Sequence, residues 1–237
     1  MKTVGDVLGP LFFGIVFVGG WLALIALFVA NRRASQRAVA ALESAARSLG
    51  IGPGHGTMPA HGQPTWRAIV GELRGRPIAI QLVARRKGTP PMTYVSRRVA
   101  NARTVPLPTA LYHYNLPWLC LSPKPGAAGG REPKGLTTGD AAFDAAYLVN
   151  AIVSMNMWTG ATTLQGHFAL SPAIAPALAR VPLDVSFSFD GEFVVATWRE
   201  WHLEESRLAA VIEALDVMAT DVPSWIDQLA RAGAAIR

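Results

Sequence analysis

Cysteine is almost missing from this chain: its 237 residues contain one, Cys120. An intrachain disulfide is thereby excluded, as are the clustered thiolates of structural zinc sites. Charge is scarce as well, at 16% of residues against about 25% in a typical soluble domain. Acidic residues are nearly absent from one stretch. Between residues 31 and 130 only Glu43 and Glu72 occur, against 14 Lys and Arg. Residues 131–237 reverse the balance, with 13 acidic and 7 basic side chains. The net charge of +6 therefore hides a basic membrane-proximal half and an acidic distal half. Gly126 to Gly130 lack the Lys-Ser/Thr ending of a phosphate-binding loop, and no serine stands in a nucleophile-elbow context. No repeat of solenoid length is present.

What the chain does have is a long apolar run. Val7 to Ala30 covers 24 residues without a charge. At about 1.5 Å per residue this helix reaches roughly 36 Å, enough to cross a hydrocarbon core of about 30 Å. A secretory signal has a shorter apolar region, about 7–15 residues, behind a basic start and before a small-residue cleavage site. Here only Lys2 stands before the run and Asn31-Arg32-Arg33 follows directly, so an uncleaved anchor is expected. Pro10 falls in the first turns, where a helix tolerates it. Gly19 and Gly20 suit either close helix approach or ordinary membrane-helix usage. Arg32, Arg33, Arg37 and Arg47 outweigh Lys2, which places the N-terminus outside and the large domain in the cytoplasm. The lone thiol agrees with a reducing compartment.

The expected organisation is a short segment at 1–6, a transmembrane helix at 7–30 and a juxtamembrane helix at 31–49 that continues it out of the membrane, stopped by Gly50. A Gly/Pro-rich linker at 50–64 and a soluble α+β domain at 65–237 follow. His55 and His61 form a His-x5-His pair in the linker. Without a third ligand they read as solvated histidines, so no metal or cofactor is implied. In the domain, Trp66–Glu72 and Pro77–Arg85 read as strands about the Arg74-Gly75 turn, with further strands at Met92–Ala100, Leu116–Leu121 and Tyr147–Val153. Ser171-Pro172 opens a helix running to Arg180. Asp190-Gly191 between alternating residues marks a hairpin that pairs Phe187 with Val194 and Val185 with Ala196. Two helices close the chain, Glu204–Thr220 and Val222–Ala232, separated at Asp221 and Pro223. The fold class is α+β, a mainly antiparallel sheet packed by helices.

Thr138 to Val149 (TGDAAFDAAYLV) begins with a helix entry capped by Thr138 or Asp140. This string, with the Gly-Glu-Leu-Arg-Gly-Arg-Pro segment before it and the closing hairpin and helix, resembles an uncharacterised family of bacterial single-pass membrane proteins. Gly139, Asp140, Phe143, Asp144, Tyr147 and Val149 carry the likeness, which spans most of residues 66–220. The resemblance implies a membrane-tethered α+β module without an assigned activity; the expected location is the cell inner membrane.

Asp140 and Asp144 lie four apart, so on a helix they share a face. Paired carboxylates can divide acid and base roles, but carboxylates are also favoured at a helix start by its orphan N–H groups and dipole. Capping is the expected role. Cys120, tested as a nucleophile with His113 or His167, stands in an apolar strand and reads as a buried thiol. No catalytic residue is therefore assigned. The basic group Arg85, Arg86, Lys87, Arg97 and Arg98, together with Arg32 and Arg33, is the expected contact with anionic lipid head groups. Arg103 adds to it. Nucleic acid is disfavoured, because no recognised binding module accompanies these charges. The expected function is a non-enzymatic scaffold or interaction module on the cytoplasmic membrane face, an accessory to a membrane complex, with the bilayer and another membrane or cytoplasmic protein as partners. The alternative is a membrane-bound enzyme whose site includes Asp140 and Asp144.

Overall fold

The computed structural model describes residues 4–53, 65–83, 90–99, 118–124, 135–156, 160–164 and 166–235. The expected linker histidines, His113 and the basic trio Arg85, Arg86 and Lys87 lie outside these residues. Helix α1 runs without interruption over Val4–Ser48, so the juxtamembrane segment continues the apolar helix as expected. Nothing between Ala30 and Asn31 breaks it, since Arg, Ala, Glu and Gln are all good helix formers. Phe17, Trp21, Leu24, Ile25 and Phe28 are exposed along it, and it is the one described helix long and apolar enough to cross a membrane.

The helix ends as the sequence indicates. Gly50 adopts a left-handed φ of 70°. Its N–H donates to Arg47 O at 3.1 Å, and Ile51 N–H donates to Ala46 O at 2.9 Å. These two bonds satisfy carbonyls that the last turn leaves open. Residues 54–64 of the expected linker lie outside the described residues. Strand β1 (Gly52–Pro53) pairs directly with β2 (Thr65–Leu73), Gly52 opposite Glu72 and Pro53 opposite Gly71. The chain divides into two compact units, the second beginning at Ser44 in the last turn of α1.

The remaining elements are β3 (Arg76–Val83), β4 (Met92–Arg98), β5 (Leu119–Pro123), α2 (Ala141–Ala146), β6 (Tyr147–Asn156), β7 (Gly160–Thr163), α3 (Ile174–Leu178), β8 (Ser186–Phe189), β9 (Phe193–Arg199) and α4 (Glu205–Ala235). All strands join one antiparallel sheet in the order β1-β2-β3-β4-β9-β8-β5-β6-β7. The α+β class is thus as expected. Directly paired residues share a face, so Ile80, Val95, Ala196, Phe187, Leu121 and Val149 form one apolar row across six strands. All six are buried, and α4 packs over this face.

Three local expectations are corrected. In the β8–β9 hairpin Phe187 faces Ala196 and Phe189 faces Val194, two residues away from the expected register. The turn centres on Gly191-Glu192, with Gly191 at φ 103°. The Asp190 carboxylate fixes it by accepting from Glu192 N at 3.0 Å and Phe193 N at 2.8 Å, an Asx arrangement. A shift of two keeps every side chain on its expected face. At the C-terminus one helix replaces two, with Pro223 inside it. Met218, Val222, Trp225 and Leu229 continue a single buried stripe through the proline, and this packing outweighs the lost backbone bond. Finally, β5 extends to Pro123, past the expected strand end at Leu121.

Candidate functional site

The Thr138–Tyr147 motif is built from local necessities. Asp140 is the N-cap of α2, its Oδ1 accepting from Ala142 N and Phe143 N at 3.0 Å each. Asp144 reaches back over the same turn. Its Oδ1 accepts from Thr138 N at 2.9 Å and Thr138 Oγ1 at 2.8 Å, and its Oδ2 from Thr138 N at 3.1 Å. Gly139 between them has φ 87°, a conformation that favours glycine, and a Cβ there would meet His167 Cε1 at 3.2 Å. Phe143 and Tyr147 stack with ring centroids 5.2 Å apart and are buried. Burial also raises the Tyr147 hydroxyl above its ordinary pKa. Both carboxylates therefore hold the backbone that carries them.

A cleft lies elsewhere in the domain. It has a volume of about 520 Å³ and opens between the β2–β3 turn, the approach to α3 and one face of α4. Arg74, Arg76 and Arg97 line one wall; Glu213, Asp216 and Asp221 line the other, with Ser171 and Thr220 at the rim. Arg97 is the centre of this arrangement. It is fully buried, and its Nε donates to Asp216 Oδ1 at 2.6 Å. Nη1 and Nη2 donate to Arg76 O at 3.0 Å and Leu73 O at 2.9 Å. Leu73 and Arg76 flank the Arg74-Gly75 turn, where both residues have positive φ, 53° and 70°. One guanidinium thus ties the hairpin turn, β4 and α4 together.

This placement corrects the expected lipid contact at Arg97. Strand residues alternate faces, so Arg97 and Arg98 point to opposite sides of β4, and Arg97 shares the inward side with Val95. Arg98 is half exposed and pairs with Glu192 at 2.7 Å. Arg32 and Arg33 are exposed on α1. Cys120 sits within β5, and burial pushes its thiol up to about 11, away from nucleophilic character. Among the described residues no three His, Cys, Asp or Glu side chains gather as a metal site.

The sequence signalled Arg97 only weakly. Alternation separates it from Arg98, but a buried partner 119 residues away is not visible in spacing. Asp216, within the apolar stripe of α4, was the second available sign. The fold and these sites define the chain as an α+β domain joined to one helix of membrane-spanning length and composition. Compared with protein-family models, curated proteins and solved structures, it matches none.

Proposed function

We propose that the chain is a membrane-anchored, non-enzymatic interaction module on the cytoplasmic face of a bacterial inner membrane, a scaffold or accessory subunit of a membrane complex. One observation carries this reading. An exposed apolar helix leads directly into a domain whose most chemical-looking motif is occupied in holding its own backbone. Exposed apolar surface of that extent favours a bilayer over water. The arginines that follow it, Arg32, Arg33 and Arg37, favour the cytoplasmic side.

Anionic head groups are the proposed contact of Arg32 and Arg33, joined by Arg85, Arg86, Lys87 and Arg98 from the basic half of the chain. Each such cation near the leaflet contributes about 1 kcal/mol. The resemblance to single-pass bacterial membrane proteins supports the same architecture. An enzyme built on Asp140 and Asp144 would need carboxylate oxygens aimed at a ligand, whereas these accept from Ala142, Phe143 and Thr138.

The test is cross-linking in intact cells followed by purification of the full chain in mild detergent. A protein partner recovered at fixed stoichiometry is expected. Recovery of the chain alone from efficiently cross-linked membranes would overturn the reading.

A further inference from the structure

The cleft beside α4 has an imbalance that the fold itself does not use. Each carboxylate on its wall already has a donor. Asp216 accepts from Arg97 at 2.6 Å, Glu213 from Arg180 at 2.7 Å, and Asp221 from Ser171 N at 3.0 Å and Trp225 Nε1 at 2.7 Å. The cations are not matched in the same way. Arg74 is 76% exposed and approaches Asp216 only at 3.8 Å. The Arg76 guanidinium has no partner among the described residues. Two guanidinium forks therefore face a recess whose acids are engaged.

We propose that this cleft binds a small oxyanion, a phosphate or phosphate monoester group, with Arg74 and Arg76 as its ligands. Guanidinium presents planar paired donors that match phosphate geometry. The backbone carrying both arginines is fixed in advance, because Arg97 clamps the carbonyls of Leu73 and Arg76 on either side of the turn. Arg97 is a positioning residue in this scheme. Pre-arranged donors lose less freedom on binding. A volume of about 520 Å³ falls within the range of roughly 300–1,000 Å³ for small-molecule sites. Glu213, Asp216 and Asp221 on the facing wall repel extended polyanions, so the ligand carries one or two phosphate groups and is not a nucleic acid strand. The phosphate can belong to a soluble compound or to a lipid head group.

Equilibrium dialysis of the full chain in non-ionic detergent, at constant chloride, separates these sources. One arm uses labelled inorganic phosphate; the other uses phosphatidic acid in mixed micelles. Saturable binding near one per chain is expected in at least one arm. Arg74→Gln and Arg76→Gln should each weaken it at least tenfold, while Arg231→Gln, on the exposed end of α4, should not. Binding of phosphate assigns a soluble ligand, and binding of phosphatidic acid alone assigns a lipid head group. Because the Arg74 side chain is exposed and reaches Asp216 only at 3.8 Å, and the Arg76 carbonyl bonded by Arg97 is untouched by side-chain substitution, both variants should keep the parent melting temperature. Absence of saturable binding in both arms, or binding unchanged by either substitution, would overturn the proposal.

Discussion

Arg97 Nε lies 2.6 Å from Asp216 Oδ1, and this ion pair links strand β4 to the long helix α4. The arginine side chain is fully buried and the aspartate is 18% exposed. Removing one member of a buried pair strands the other charge and costs about 3–5 kcal/mol. Arg97→Leu and Asp216→Leu should each destabilise the domain on that scale in denaturant titrations. The double substitution should recover much of the loss, since an apolar pair can replace a buried ion pair at little cost. Losses that simply add in the double variant would show that the two side chains do not depend on one another.

Asp140 offers a sharper separation of structure from chemistry. As an N-cap, its replacement by Ala should cost about 0.5–2 kcal/mol, while Asn or Ser at this position should largely preserve stability. Asp144→Ala should also destabilise, by releasing Thr138 N–H and Oγ1. Thermal melts of these variants decide the matter. An Asp140→Asn chain of parental stability that lost a defined cellular activity would point to a chemical role instead.

Much of the architecture could be read from residue order, and the reasons differ from element to element. The long apolar helix was legible because a charge-free run of 24 residues has the length and composition of a membrane span. The Asp140 cap was legible because capping is local. The β8–β9 hairpin was placed correctly but registered two residues off, since Asp-Gly favours a central turn position that the Asp190 side chain instead serves from outside. Pro223 suggested a helix boundary, yet the apolar stripe from Met218 to Leu229 carried the helix through it. The Arg74–Arg76 cleft escaped notice because it depends on Arg97 meeting Asp216 across 119 positions, a relation no local pattern encodes.

Gly71 is required by a close approach. A Cβ on it would collide with the carbonyl oxygen of Gly52 and with the Ile51 side chain, where β1 pairs with β2 immediately after α1. Gly71→Ala should therefore destabilise by about 1–3 kcal/mol, the usual cost of overpacking. Amide exchange should rise first at Gly52. Unchanged stability and protection would mean that β1 does not pair with β2 in solution.

Cys120 gives a test by pH. Burial disfavours the thiolate and raises the thiol to about 11. Alkylation should be slow at neutral pH, accelerate only as pH approaches that value, and become rapid on unfolding. An unfolded cysteine ionises near 8.5. The stabilising contribution is thus complete below that pH and is lost as pH rises through the folded value. Rapid labelling of native protein at pH 7 would contradict a half-buried thiol raised to about 11.

Membrane topology is the most direct test of the function proposed above. The full chain should be fused at its C-terminus to a reporter active only outside the cytoplasm and, separately, to one active only inside. The chain should remain in the membrane fraction after alkaline extraction, with the inner reporter active and the outer one silent. A chain released by extraction, or a strongly active outer reporter, would contradict a cytoplasmic module held by one transmembrane helix.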